Sequence, residues 1–382
     1  MKWITIPPRE NWESLVESQG FIYHTPEQQY WVEDHAYQFD QNEILKIKTA
    51  SEELQKLCLE LVESVIQKRD FDRLAIPREF VPAILESWYA QDPSIYGRFD
   101  FSYDGKDSLK MLEFNADTPV TLLESSVIQA HWLEDHRTLL GEHSRQFNFI
   151  HEHLVQAWKN YALSAKLSPE DTVYFSCVTD SNEDLKNVEY MQDCARHAGI
   201  KTKFLFLENM GWNGKQFVDL SGAPILHCFK LYPWEILIHE QFGQQLIRRP
   251  MRFIEPAWKM ILSNKAMLPM MWEKFEGHPN LLPTYFEPGP LGKSYVRKPI
   301  FSREGANITI VRENEVIETE GDYGYEGFIY QEYTPLPKFG ESHVLIGSWI
   351  IGGKSSGICI RESSSMITDS YSRFVPHFFN HL

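Results

Sequence analysis

The middle third of the chain alternates between apolar runs of strand length and one amphipathic helical segment. Strand-like runs cover residues 172–178, 201–207 and 224–232, and the helical segment at 184–197 is stopped by Gly199. Strand–helix–strand order of this kind builds parallel sheets, because the crossover helix returns the chain to the same sheet edge. We therefore predict an α/β fold with a βαβ subdomain at about 165–235.

The last third of the chain is composed mainly of strands. The apolar and alternating runs are 294–300, 307–311, 327–333, 343–351 and 357–361. This pattern predicts an α+β lid over a cleft, at residues 290–370. At 382 residues the chain exceeds one average domain, so several subdomains are expected to share a large core.

Two helices are predicted from apolar spacing elsewhere in the chain. Residues 54–66 have apolar positions at helical intervals behind a Thr49/Glu52 capping box. Residues 139–161 form the second predicted helix, with Gly141 as its weakest position.

Composition excludes several classes of protein. The formal charge of -16 argues against sequence-independent nucleic-acid binding, which needs a surplus of Lys and Arg. The longest apolar stretch, 344–351, is far shorter than the roughly 20 residues of a membrane span. The N-terminus lacks the apolar core of a signal peptide, and the five cysteines are scattered without a Cys-x-x-Cys pair. We expect a cytoplasmic protein, without a membrane or nucleic-acid partner; the sequence identifies no protein partner.

A hairpin is predicted at residues 98–116, with the Asp-Gly turn signal between its strands. Side chains alternate across a strand, so Arg98 and Asp100 share one face, as do Glu113 and Asn115. If these faces coincide, the hairpin presents a cluster of hard oxygen ligands suited to Mg²⁺, with an arginine beside it for an oxyanion. A solvated face with a surface ion pair would have the same pattern.

A second group of polar residues follows the predicted strand that ends near Lys298. Arg303 and Gly305 lie in the loop after it, among small residues whose backbone NH groups can approach phosphate oxygens. The lysine adds a positive charge. The loop lacks the GxxxxGK[ST] pattern of a P-loop, and an ordinary hairpin turn is the alternative interpretation.

Six different short motifs follow one another along the chain. They are GRFD at 97–100, LEFNAD at 112–117, SNKAMLP at 263–269, KPI at 298–300, YQE at 330–332 and GG at 352–353. Together with Arg303, Gly305, Gly357 and Arg361, they resemble the glutathionylspermidine synthase family over nearly the whole chain, 1–382. The resemblance implies an ATP-grasp fold, with a preATP-grasp-like βαβ subdomain and ATP held between a lid and a base.

The resemblance also implies roles for individual residues. Asp100, Glu113 and Asn115 would be Mg²⁺ ligands, while Arg98 and Arg361 would neutralise phosphate and a developing oxyanion. The remaining ATP contacts would come from Lys265, Lys298, Arg303, Gly305, Gln331, Met366, Ile367 and Thr368. A lysine flanking a buried segment, a solvent-facing glutamine and a strand-end arginine are the structural alternatives for Lys265, Gln331 and Arg361.

The substrate region departs from the family. Relatives carry a hydroxyl residue that holds glutathione where this chain has Leu231, although Thr118 keeps a hydroxyl and Glu183 matches an acid-binding position. The matching region begins near Met1, so the amidase domain of the bifunctional relatives is expected to be absent. We predict an ATP-dependent ligase that joins a small carboxylate to an amine through an acyl phosphate, releasing ADP and phosphate. The alternatives are a catalytically inactive ATP-binding regulator and a hydrolase using a carboxylate pair.

Overall fold

The computed structural model describes residues 1–369 and 371–380. Residue 370, the last of the predicted lid, and residues 381–382 lie outside the described residues. The helices are α1 (Trp12–Ser18), α2 (Gln41–Lys68), α3 (Val81–Tyr89), α4 (Gln129–Asp135), α5 (Arg137–Leu140), α6 (Ile150–Ala165), α7 (Asn182–His197), α8 (Trp234–Leu237) and α9 (Met267–Lys274). Short 3₁₀ turns occur at Asp72–Leu74, Arg78–Phe80, Leu207–Asn209, Gly243–Arg248, Ala257–Ile261 and Gly289–Leu291, and a π-helical turn at Glu124–Ile128.

The strands are, in chain order, β1 (Lys2–Thr5), β2 (His35–Phe39), β3 (Tyr96–Tyr103), β4 (Leu109–Asn115), β5 (Ser144–Arg145), β6 (Thr172–Ser176), β7 (Lys201–Phe204), β8 (Gly211–Trp212), β9 (Phe217–Val218), β10 (His227–Lys230), β11 (Arg252–Ile254), β12 (Thr284–Tyr285), β13 (Tyr295–Pro299), β14 (Thr309–Arg312), β15 (Glu315–Glu318), β16 (Phe328–Glu332), β17 (Lys338–Phe339), β18 (Ser342–Ile351), β19 (Lys354–Ser363), β20 (Arg373–Val375) and β21 (His377–Asn380).

The predicted parallel sheet is present in the middle of the chain. Its strand order is β11-β10-β6-β7, and all three pairings are parallel. Phe175 and Phe229 are fully or almost fully buried, as expected for strands covered on both faces. Loops that follow the carboxyl ends of these strands reach the candidate site.

The predicted hairpin forms one side of a larger antiparallel sheet, with order β20-β19-β18-β3-β4 and β17 on β18. Its apolar face packs inward: the Phe99 and Phe114 rings are stacked with centroids 4.1 Å apart. The opposite face carries the hairpin's polar residues. We call this the base sheet.

A third sheet, with order β12-β16-β13-β14-β15, is entirely antiparallel and carries Lys298 and Gln331. We call it the lid sheet. The predicted lid range 290–370 is divided between two sheets, because β18 pairs with β3, and β19 with β18, rather than with the lid strands. Apolar alternation marks a strand, and it does not identify the strand's partner.

Two smaller sheets complete the architecture. β1-β2-β21-β5 joins the two ends of the chain, and β8-β9 is a separate hairpin. No helix among the described residues is long and apolar enough to cross a membrane.

Two helix predictions are wrong at their boundaries. α2 begins at Gln41, because Asp40 and Glu43 form the capping box that was assigned to Thr49 and Glu52. The predicted helix at 139–161 is interrupted: Gly141 has a φ of 99°, which ends α5, and α6 begins only at Ile150. A left-handed glycine is a common helix terminator.

Candidate active site

A cavity of about 510 Å³ lies between the base sheet, the lid sheet and the loops after the parallel strands. Every predicted site residue lines it: Arg98, Asp100, Glu113, Asn115, Thr118, Glu183, Lys265, Lys298, Arg303, Gly305, Gln331, Arg361, Met366, Ile367 and Thr368. Residues from six separate stretches of sequence therefore meet in one space, while the role of each remains a prediction.

The polar faces of the hairpin coincide. Arg98 pairs with Asn115 across the two strands, and Asp100 pairs with Glu113. Directly paired side chains lie on the same face of a sheet. Asp100 is almost completely buried, which excludes the alternative of a solvated surface hairpin.

Each of the three guanidinium nitrogens of Arg98 donates a hydrogen bond. Its Nε donates to Asp100 Oδ1 at 2.7 Å and its NH2 to Asp100 Oδ2 at 3.1 Å, while its NH1 donates to the Val120 carbonyl at 2.7 Å. The guanidinium also lies 5.7 Å from the centroid of the Trp349 ring. A bidentate arginine of this kind fixes the orientation of its carboxylate.

The oxygen-bearing groups of the hairpin converge at one point. Asn115 Nδ2 lies 3.2 Å from both Asp100 Oδ2 and Glu113 Oε1. Rotation of the amide would present its oxygen to the same space, giving two carboxylates and one amide oxygen. This donor set fits a hard cation such as Mg²⁺, which is typically held by few protein ligands and by phosphate oxygens. Among the described residues, no group of three or more His, Cys, Asp or Glu side chains is arranged to hold a metal.

Two lysines form the cationic side of the cavity. Lys265 Nζ lies 3.4 Å from Glu113 Oε2 and donates to the Ser302 carbonyl at 2.8 Å. Lys298 Nζ donates to Gln331 Oε1 at 2.6 Å and to the Leu112 carbonyl at 3.0 Å. Gln331 is only 2% exposed, which excludes the solvent-facing alternative.

These charged groups shift one another's pKa values. Burial lowers the pKa of Lys298 to about 8, with Lys265 acting in the same direction and Glu113 opposing it. Burial alone would raise the pKa of Glu113, but the ammonium groups of Lys265 and Lys298 hold it well below its usual range. The carboxylate therefore stays ionised beside two cations, as a phosphate and metal site requires.

The loop after β13 closes against the base. Gly305 has a φ of 70°, and a Cβ on it would lie 2.5 Å from the Thr368 carbonyl oxygen, so only glycine fits. Arg303 NH1 donates to Thr118 Oγ1 at 3.0 Å, and its NH2 donates to Glu235 Oε1 at 2.5 Å. In this conformation Arg303 holds the lid loop to the base, and Thr118 is its partner.

An apolar wall faces the lysines. Its members come from the lid sheet, from β18 and from the predicted 366–368 segment: Val296, Ile308, Ile310, Leu345, Met366 and Ile367. An apolar wall in the same cavity as two cations is the kind of surface that a purine ring and its phosphates need.

The far end of the cavity is acidic. Glu183 and Asp184, in the first turn of α7, both line it together with Glu304. Burial and the neighbouring carboxylates, first of all Glu124, hold the pKa of Glu183 well above its usual range; burial also raises the pKa of Asp184, to about 6. Glu124 is fully buried, and its Oε1 accepts a hydrogen bond from the Tyr30 hydroxyl at 2.8 Å.

Arg361 projects from β19 into the same cavity. Its Nε is buried and finds no acceptor within the described part of the chain. The strand-end surface arginine considered above is therefore excluded. A guanidinium whose buried Nε has no acceptor is a group that an oxyanion would satisfy.

Sequence reasoning missed two acidic residues of the site. Asp184, adjacent to the predicted Glu183, lines the cavity, and Glu235, which follows the Lys230-Leu231-Tyr232 segment, lies outside the lining and binds Arg303 of the lid loop. Both are acidic residues beside an identified position, and that proximity was the available signal. Leu231 itself lines the cavity, where it offers only methyl groups.

Several known proteins are similar to this chain in sequence, and a solved structure is similar to it in fold. A family model described as glutathionylspermidine synthase preATP-grasp matches residues 3–380. A Haemophilus influenzae protein provisionally named an acid–amine ligase is 39% identical, over 99% of this chain and 100% of that protein. Trypanothione synthetase of Crithidia fasciculata is 30% identical over 88% of this chain. The bifunctional glutathionylspermidine synthetase/amidase of Escherichia coli is 27% identical over 90% of it.

The last two matches cover 55% and 59% of those relatives' own lengths, so the chain spans little more than half of each. Among solved structures, a glutathione synthetase-like effector from Globodera pallida aligns over 98% of both chains, with a TM-score of 0.58 at 12% identity. That likeness concerns the fold alone and agrees with the predicted ATP-grasp architecture. The chain therefore belongs to the glutathionylspermidine synthase family and is a ligase that forms carbon–nitrogen bonds.

Proposed function

We propose that this chain uses ATP and Mg²⁺ to join a small carboxylic acid to an amine through an acyl phosphate. The observation that carries the proposal is the meeting of two opposite sets of groups in one cavity. The oxygen-bearing side chains Asp100, Glu113 and Asn115 lie beside two cations, the partly buried Lys265 and the buried Lys298.

The nucleotide end of the cavity is assigned to the lysines and the apolar wall. Lys265 and Lys298 would contact phosphates, with Arg303 and Gly305 in the covering loop and Gln331 with residues 366–368 on the adenine side. A metal ion would be held by Asp100, Glu113 and Asn115, and it would supply positive charge that offsets the charge of the phosphates.

The first chemical step is transfer of the γ-phosphoryl group to the substrate carboxylate. A carboxylate oxygen forms a bond to the γ-phosphorus as the bond to the bridging oxygen of ADP breaks. The chain's contribution is to align the two anions and to offset their repulsion, which is the main task in phosphoryl transfer. Lys265 and Lys298 supply that positive charge.

The second step is attack of the amine on the acyl phosphate. The nitrogen bonds to the carbonyl carbon, an oxyanion develops, and phosphate leaves. Arg361 is the stronger candidate for stabilising the oxyanion, because its Nε is free, whereas Arg98 is fully engaged with Asp100 and Val120. Arg98 would act mainly by fixing Asp100.

The amine is assigned to the acidic end. A bound ammonium would favour the ionised forms of Glu183, Asp184 and Glu304, and a carboxylate whose pKa is raised by burial is a stronger base for the proton that the amine loses before attack. We therefore assign Glu183 to the amine rather than to the acid. Thr118, held by Arg303 beside Pro119 and Val120, remains the assigned contact for the acid.

The alternatives lack support of this kind. An inactive ATP-binding regulator has no need for the metal-ligand set together with both lysines. A carboxylate-pair hydrolase would leave the lysines and the lid loop without a role.

The test is a matrix of carboxylates and amines assayed for ADP release. Release that requires both an acid and an amine supports the proposal, and Glu113→Gln and Arg361→Ala should each abolish it. Glu60→Gln, on the exposed face of α2, is the matched control and should keep wild-type turnover. ATP binding without turnover would favour the regulator, and turnover without ATP would favour the hydrolase.

A further inference from the structure

A second cavity of about 280 Å³ lies at the carboxyl ends of strands β6, β7 and β10. We call it the second chamber; its walls include Met210, Phe217, Phe242, Leu246, Met251 and Phe253. Ligands of open α/β sheets bind beyond the carboxyl ends of the parallel strands, and a pocket becomes a binding site when a few polar groups interrupt apolar walls.

The second chamber adjoins the candidate active site. Val178 and Tyr232 line both cavities, so the two spaces share a wall at these residues. Val178 lies shortly before Ser181, Glu183 and Asp184, which places the junction at the acidic end of the active site. A molecule bound through its nitrogen at that end has the second chamber beside it.

Two carboxylates make the edge of the second chamber negatively charged. Glu240 accepts a hydrogen bond from the Tyr232 hydroxyl at 2.6 Å, and Glu208 accepts one from the Thr179 backbone NH at 3.0 Å. Burial, Glu240 and Glu208 together raise the pKa of the Tyr232 hydroxyl, which is consistent with both carboxylates facing it. Both glutamates are exposed at the chamber's edge, where they would complement a cation.

We propose that the second chamber binds the distal arm of the amine substrate, and that this arm is a bulky apolar group, such as an aromatic ring, ending in a second cation. The inference rests on the proposed function for the position of the reacting nitrogen. Size supports it: a cavity of roughly 150 Å³ lined by aliphatic and aromatic side chains suffices for benzene. A linear, flexible amine of the same length would bury less apolar surface against these walls than a ring would.

The test compares ethylamine, phenethylamine and a phenethylamine with a distal aminomethyl group. With ATP and an acid that supports turnover, kcat/KM should rise about tenfold or more from ethylamine to phenethylamine, and again with the second cation. Met210→Trp, which fills the second chamber without lining the active site, should remove the gain and leave ethylamine turnover unchanged. Glu240→Gln should remove only the part due to the second cation. Leu163→Trp, on the exposed surface of α6, is the control.

Calorimetry with the same amines in the absence of ATP separates the two proposals. Saturable binding of the arylalkyl amines that Met210→Trp abolishes supports the second chamber even if no acid gives turnover, an outcome that would count against the proposed function alone. ADP release with equal kcat/KM for all three amines, unchanged in Met210→Trp, would overturn the second-chamber proposal and leave the ligase assignment standing.

Discussion

Gly347 lies directly beneath the side chain of Arg98. In the base sheet Gly347 pairs with Asp100, and a Cβ built on it would stand 2.9 Å from Arg98 Cδ and would also meet Cys359 Sγ. The missing side chain leaves room for Arg98 to lie over Gly347 and to reach Asp100, two residues along the same strand. A glycine on the central strand therefore sets the orientation of a metal-ligand candidate.

We predict that Gly347→Ala lowers kcat for ADP release about 100-fold, because a displacement of about 1 Å in a positioning group can have that effect. The protein should remain folded, as measured by thermal unfolding. Gly289→Ala is the matched control, since a Cβ there meets nothing within 4 Å among the described residues. Unchanged turnover in Gly347→Ala would mean that the orientation of Arg98 is unimportant.

Gly305→Ala should weaken nucleotide binding more than it affects folding. The new methyl group would meet the Thr368 carbonyl and impose a left-handed backbone on alanine, at a cost of about 1 kcal/mol or more for the backbone alone. The closed position of the loop should become less populated, and KM for ATP should rise severalfold. Equal KM values would show that the loop does not need to close on residues 366–368.

The pH dependence of kcat/KM for ATP should reflect the protonation of Lys298. Its pKa of about 8 means that the free enzyme loses this positive charge as pH rises through 8, so kcat/KM for ATP should fall above that pH. Bound phosphates would favour the charged lysine, so kcat at saturating ATP should persist to higher pH. Lys298→Arg, which stays charged, should flatten the alkaline fall. The same fall in wild type and Lys298→Arg would exclude Lys298 as its source.

The dependence of ADP release on Mg²⁺ should identify which hairpin residues bind the metal. Chelation should stop ADP release, and added Mg²⁺ should restore it. Asn115→Ala should raise the Mg²⁺ concentration needed for half-maximal activity by about tenfold or more, since loss of one ligand or its support typically reduces metal affinity by that order. Asn160→Ala, exposed on α6, should match wild type. Equal Mg²⁺ requirements for Asn115→Ala and wild type would remove Asn115 from the site.

Local patterns were sufficient for most of the site. The alternation of Arg98 with Asp100 and of Glu113 with Asn115 predicted a shared polar face, and the strand register confirms it. The period-2 alternation gives the face of each strand, but the register counted from the turn would pair Asp100 with Leu112. A register shift between Asp100 and Phe101 brings Asp100 opposite Glu113, and the alternation alone does not predict that irregularity.

Sequence patterns did not predict which distant strands pair with one another. Nothing in the sequence of β18 indicates that it pairs with β3, yet that pairing brings Gly347 under Arg98 and places Arg361, on β19, in the cavity. The contact between Arg303 and Glu235 likewise joins residues 68 positions apart. These relationships depend on how the sheets pack, which apolar periodicity alone does not specify.

The most direct test of the central claim follows the oxygen atoms of the acid substrate. A carboxylate with isotopically labelled oxygens is turned over with ATP and the amine, and the released phosphate is analysed by mass spectrometry. An acyl phosphate mechanism predicts that one labelled oxygen passes from each carboxylate to inorganic phosphate. Amide formation with unlabelled phosphate would contradict the account.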